Sequence, residues 1–266
     1  MNIGTYNIWN HDSNYNERMD MFVSVIKEEN LCVLALQEVR SSDIVEKLKS
    51  ECEFKYSYWK KYHDCEEGLA ILSKHPIIRT WTNWDDSTDV HNSGSMVVTI
   101  RVDGIEIGIS NVHLDYKYST NREIEIIKVV NEIDKQQNAF DLLLGDFNTY
   151  PNSSIHGYLS GRQSLDDKST RWIDLHDVYT IKNNVKDMIT IDFYNNPRWD
   201  EEAILDIPGR FDWILLRNPY PKKYPRLLDY KIIGNERINN LTPSDHYGVV
   251  CRIEFLCSGN NKIVEV

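Results

Sequence analysis

The sequence predicts an α/β protein in which two sheets pack face to face with helices outside. Three observations carry that reading. Short apolar runs of strand length recur along the chain, while two longer segments have helical period. The halves also echo each other. In each, a strand passes through a helix into a second strand, and the strands end on polar residues, so the polar ends can converge on one rim.

The strands are expected at Ile3–Ile8, Leu31–Gln37, Leu69–Ser73, Met96–Val102, Ile105–Val112, Phe140–Leu144, Phe211–Leu216 and Tyr247–Phe255. One helix is expected over Arg18–Glu29, with Met19, Phe22, Val23 and Ile26 on its inner face. A second is expected over Asn121–Gln136, with Ile124, Ile127, Val130 and Ile133 inward and Thr120 as N-cap. From Tyr150 to Pro208 the chain is polar and aromatic. It reads as surface loop with short helices, a place where substrate recognition can reside. No Pro/Gly/Ser-rich linker divides the chain, so one domain over residues 1–266 is expected.

Of the 266 residues, 41% are hydrophobic and 27% charged, a globular balance, and the formal net charge is −11. That charge disfavours general attraction to nucleic acid or anionic membranes, and it suits a site that gathers carboxylates for a cation. Five cysteines with no C-x-x-C spacing support neither a disulfide framework nor a zinc site; Cys32 and Cys251 read as core residues. The start MNIGTYNI has no basic region or long apolar stretch, and no span of the chain reads as transmembrane. A cytoplasmic monomer is the expectation.

Six stretches hold the polar types that chemistry uses. LLLGDFN ends an apolar run on Asp146 and Asn148, with Gly145 permitting a tight backbone. LCVLALQEV ends on Glu38, TYNIWN on Asn7, and ISNVHLD on Asn111 and His113. PSDHYGVV sets Asp245 and His246 before the last strand, and GRFDWILL puts Asp212 inside an apolar one. Each has an ordinary reading: Asp and Asn make turns, Ser-Asp caps helices, and a lone His is commonly a bonded core residue. Together they supply only Asn, Glu, His and Asp, the types needed for metal-assisted attack on phosphorus. Glu38 suits a hard cation such as Mg²⁺ or Mn²⁺. A carboxylate such as Asp146 can hold and deprotonate water, and a His with an acidic partner can stabilise charge and move protons.

The ordered series TYNI, LQEV, EGLAILSKHPI, NVHLD, LLLGDFN, RFDWIL and PSDH resembles the endonuclease/exonuclease/phosphatase superfamily, from residue 5 to residue 250. GDFN and SDH are its most specific parts. The resemblance implies a four-layer α/β/β/α sandwich of two packed mixed sheets with outer helices. It implies Glu38 as main metal ligand with Asn7 and Asp245 beside it. Asp146 would position or deprotonate water, supported by Asn148. His246 would contact the scissile phosphate and pair with Asp212. His113 would bind a phosphate oxygen, oriented by Glu67. Many relatives carry an Arg where this chain reads DVHNSGSM, so His91 is the candidate for that phosphate contact, with Asn111 as a second substrate-binding residue.

The implied activity is hydrolysis of a phosphodiester or phosphomonoester by in-line water attack, dependent on Mg²⁺ or Mn²⁺. The acidic balance favours a nucleotide or nucleic-acid end over extended duplex. A lipid headgroup or small phosphorylated metabolite is the second reading, with Trp81 and Trp84 as conceivable membrane contacts but better core residues. A catalytically silent binding module on the same fold is the third, and it conflicts with the retained acids and histidines.

Overall fold

The computed structural model describes residues 1–63, 65–84, 93–200, 202 and 205–255. Among them the chain runs β1 (Asn2–Asn7), α1 (Tyr15–Glu29), β2 (Val33–Val39), α2 (Ser42–Glu51), β3 (Tyr56–Lys61), β4 (Gly68–Ser73), β5 (Ile77–Thr82), β6 (Gly94–Val102) and β7 (Ile105–His113). It continues through α3 (Ser119–Gln136), β8 (Phe140–Asp146), α4 (Ser154–Leu159), β9 (Trp172–Asp174), α5 (Leu175–Asn183), a 3₁₀ turn at Pro197–Trp199, β10 (Asp212–Arg217), β11 (Arg226–Ile233) and β12 (Gly248–Glu254).

These strands form two six-stranded sheets, ordered β11-β12-β1-β2-β4-β3 and β5-β6-β7-β8-β10-β9. The echo read from the sequence holds strand by strand. β1 and β2 are parallel neighbours joined through α1, and β7 and β8 are parallel neighbours joined through α3. Their flanking pairs are antiparallel, so both sheets are mixed. The central apolar layer joins the inner faces, with Val33, Ala35 and Ile71 of one sheet and Val98, Ile109 and Leu142 of the other in one buried cluster. A second cluster lies under α1 and α2, and a third under α3 and α4. The result is the four-layer sandwich.

Several local expectations change. Met19, Phe22, Val23 and Ile26 are buried as read, but α3 is rotated: Ile126, Val129, Val130 and Ile133 face inward, and Ile124 is exposed. Thr120 lies inside α3; Tyr118 precedes its first residue, and the Asp115 carboxylate accepts from the Lys117 and Tyr118 amides instead. Asp212 opens β10 and is not interior to it, which puts it at a strand end like the others. Cys251 is buried, but Cys32 is only half-buried. Trp84 is a core residue, donating from its indole to Lys61 O, and Trp81 packs at the edge of the third cluster. No helix among the described residues is long and apolar enough to cross a membrane.

Candidate active site

The parallel pairs deliver side chains because both sheets end on one rim. β1 brings Asn7 and β2 brings Glu38; β7 brings His113 and β8 brings Asp146. Register then fixes neighbours: Asp146 lies opposite His113 on one side and Asp212 on the other. Behind Asp146 the leucines 142–144 are fully buried, so the acid stands on a rigid tip. Gly145 is required there. It adopts φ 136°, and a Cβ would meet Val112 O at 2.0 Å. Glu38 has φ 58° at a break in the β2–β4 register, a left-handed conformation uncommon for a residue with a long side chain.

Asn7 ties the two acids together. Its amide donates to Glu38 Oε1 at 2.8 Å and to Asp146 Oδ2 at 3.1 Å, while its oxygen accepts from Trp9 N. Glu38 Oε2 accepts from Asn10 N at 2.8 Å, and Asp146 Oδ1 accepts from Asn148 N at 2.8 Å. Asn148 is itself held by donation to Leu114 O. His113 Nε2 stands 3.9 Å from Glu38 Oε1 and 3.8 Å from Asp146 Oδ2. The sequence-predicted residues therefore meet from 139 positions apart.

His246 completes the cluster. Its Nδ1 bonds Asp212 Oδ2 at 2.9 Å, and its Nε2 faces Asp146 Oδ2 at 3.7 Å. Burial opposes a charge on this ring, but the Asp212 and Asp146 carboxylates outweigh it and hold the imidazole well above its usual pKa. Asp212 is fixed by its own backbone: the Phe211 and Asp212 amides both donate to Thr190 Oγ1. Ser244 anchors the other side. Its hydroxyl donates to Asn7 O and accepts from His246 N. Asp245 lies partly exposed beside it. Burial, and then Glu38, push its carboxyl up to about 6 against the pull of His246.

Two expectations about this site change, and a third falls outside the described residues. Asn111 is fully buried and braces the sheets, donating to Leu36 O and Ala70 O and accepting from Gln37 Nε2, so its amide has no reach to the rim. No hydrogen bond joins Glu67 to His113. Glu67 accepts from Asn10 Nδ2 instead, and His113 Nδ1 is buried without a partner among the described residues. His91 lies outside the described residues. Sequence reading missed Asn10, which links Glu38 to Glu67, and the hydroxyls of Thr190 and Ser244. Asn10 stood within the quoted TYNIWN, but one amide in a loop carries no signal of its own.

The donors fit a hard divalent cation. Glu38, Asp245 and Asp146 offer carboxylate oxygens, while Asn7 faces Glu38 and Asp146 with its NH₂ and turns its oxygen to Trp9 N; a cation would offset the burial and the Glu38 charge that raise Asp245. Among the described residues, the groups of three with ligand atoms within 4.8 Å of one another are Asp146, Asp212 and His246, and His156, Asp174 and Asp177. In both groups the histidine already engages an aspartate at 2.9 Å, which suits proton handling or an ion pair better than ligation.

A family model described as the Endonuclease/Exonuclease/phosphatase family matches residues 4–246, and the chain belongs to that family. The inositol phosphosphingolipids phospholipase C of Saccharomyces cerevisiae is 25% identical over 282 residues, covering 93% of this chain and 55% of the yeast protein. The chain thus spans about half the length of that curated relative. Among solved structures, Danio rerio TDP2 complexed with single strand DNA product superposes with TM-score 0.76 at 18% identity, covering 96% of this chain and 99% of the other. Truncated Caenorhabditis elegans TDP2 gives 0.72 at 20%, covering 96% and 97%. A Leptotrichia buccalis protein of the same family gives 0.67 at 23%, covering 96% and 100%.

Proposed function

We propose that this family member, a phosphoesterase by descent, is a divalent-metal-dependent phosphodiesterase acting on a nucleotide or nucleic-acid end. One observation carries the reading: Asn7 joins Glu38 to Asp146, His113 faces both of these acids, and the His246–Asp212 pair faces Asp146. A bound Mg²⁺ or Mn²⁺ would supply positive charge against the phosphate oxygens, held by Glu38 with Asn7 and Asp245.

The chain's own residues account for the rest. Asp146 sits between two imidazoles, 3.8 and 3.7 Å away, where it can orient a water and take its proton. That water adds to phosphorus, and the ester bond to the leaving oxygen breaks. His246, kept cationic by Asp212 and Asp146, meets the charge that grows on the phosphoryl oxygens. Asp212 sets the orientation of the ring through Nδ1. His113 adds a donor on the opposite side, and Asn148 keeps Asp146 in place.

The yeast relative, a phospholipase C, supports a second reading in which the ester belongs to a phosphosphingolipid headgroup. Purified protein should hydrolyse bis-p-nitrophenyl phosphate with Mg²⁺ or Mn²⁺ and stop in EDTA. Glu38→Gln should weaken metal activation and leave the fold intact. Turnover undiminished in EDTA would remove the metal from the account.

A further inference from the structure

The two histidines at the rim are held in different ways. The His246 ring is fixed through Asp212. The His113 ring makes no hydrogen bond among the described residues and stands 3.8 Å from Asp146 and 3.9 Å from Glu38. Its place is therefore set by its backbone and by packing. His113 is the last residue of β7, paired with Asp146 of β8 on one side and with Gly94 of β6 on the other.

The β8 side is closed by main chain and by Asn148. Leu114 N donates to Asp146 O at 3.0 Å, and Asn148 Nδ2 donates to Leu114 O at 2.8 Å. The β6 side is closed by Glu125 of α3. One carboxylate oxygen accepts from Ser93 Oγ at 2.5 Å, and the other accepts from Asp115 N at 2.9 Å. Ser93 directly precedes Gly94, and Asp115 lies two residues past His113. The carboxylate thus bridges β6 and β7 just beyond their last register pair.

Both ends of the bridge are firm. Ser93 is buried, and Gly94 beside it lies so close to the core that a Cβ would meet the Trp84 ring at 2.8 Å. Asp115 is held by Arg122, which donates to its carbonyl at 2.7 Å, while its carboxylate accepts from the Lys117 and Tyr118 amides. Burial pushes the Glu125 carboxyl up. The Ser93 hydroxyl and the Asp115 amide pull against that, and the His113 ring is near enough to pull in the same direction. What the two bonds secure is the segment that carries His113.

We propose that Glu125 is a positioning residue: by clasping Ser93 and Asp115 it fixes the strand end from which His113 reaches the phosphate. The proposal rests on the phosphodiesterase reading and adds to it a residue that does not touch substrate. On bis-p-nitrophenyl phosphate with Mg²⁺, Glu125→Ala should lower kcat by ~10-fold or more with KM little changed, since a misplacement of ~1 Å can cost ~10²-fold. Glu125→Gln should recover most of the loss, because its amide oxygen can accept from Asp115 N while its NH₂ donates to Ser93 Oγ. In a His113→Ala background, Glu125→Ala should cost no more than about twofold, because the ring it positions is gone. A full loss repeated in that background overturns the proposal, and so does parental kcat in Glu125→Ala. Should Glu125→Ala not fold, Ser93→Ala removes one of the two bonds and is read by the same cycle. Absence of turnover in the parent chain would count against the phosphodiesterase reading alone. The positioning claim is then read from imidazole ¹⁵N resonances, assigned by their loss in His113→Ala and His246→Ala. Glu125→Ala should move those of His113 and leave those of His246 in place, and an unmoved His113 refutes it.

Discussion

His246 and His156 each hold an aspartate at 2.9 Å, and the two pairs differ in everything around them. His246 uses Nδ1 for Asp212 and leaves Nε2 facing Asp146 across 3.7 Å at the rim. His156 has no free nitrogen: Nε2 meets Asp174, and Nδ1 meets Arg162 at 2.8 Å. The aspartates differ as well. Asp212 Oδ1 has no charged partner among the described residues, whereas Asp174 is closed off by Arg210 at 2.8 Å and by the His176 amide. A histidine–aspartate pair is thus not a site in itself. What distinguishes the proposed catalytic pair is an open ring nitrogen aimed at a third acid; the other pair is an internal tie between α4, β9 and the segment before β10.

The largest separation should appear in turnover. His246→Ala should lower kcat by ~10²–10⁴, the range for a positioned acid–base group, while His156→Ala should stay within a few-fold of the parent. Steady-state kinetics on bis-p-nitrophenyl phosphate reads both. Comparable losses in the two variants would erase the distinction. Stability should show the reverse. Asp174→Ala strips a buried guanidinium of its closest partner and should cost ~3–5 kcal/mol in denaturant unfolding.

The catalytic pair can be dissected further. Asp212→Asn should also slow turnover, and combined with His246→Ala it should add little, because the two act as one unit. Losses that multiply would mean that Asp212 works independently of the ring.

The smallest effect is one of pH. Burial alone would raise Asp174, but His156 and Arg210 hold its carboxyl down to about 2, below its ordinary 3.8. Its contribution to stability is therefore fully present above about pH 4 and is lost as the pH falls through about 2. The amount is on the order of 2 kcal/mol. Acid unfolding of Asp174→Asn should lack that component, and an unchanged acid limb would show that the carboxylate is not held low.

Legibility in the sequence followed burial. The strands buried over most of their length, β1, β2, β4, β6, β7, β8, β10 and β12, announce themselves as apolar runs. The unread β3, β5 and β11 are sheet edges or half-buried, with sequences such as YSYWKK and IIRTWT whose polar positions dilute the pattern. β9, three residues long, is too short to show any period. Glu38, Asp146, His113 and His246 were legible because each closes or adjoins an apolar run. Asn111 misled for the same reason, since a strand end and an inter-sheet brace look alike in one dimension. Arg210, two residues before Asp212, and its ties to Asp174 and His156 have no spacing that a sequence reader could follow.

Asp146→Asn, measured for turnover and melting temperature on one preparation, tests the central claim most directly. If Asp146 is the acid at which both halves of the fold converge, turnover should nearly vanish. The melting temperature should hold or rise, because one member of a crowded carboxylate cluster has lost its charge. Asn serves a turn as well as Asp does. A fully active Asp146→Asn protein would therefore show that GDFN is only a turn and that the proposed chemistry lies elsewhere.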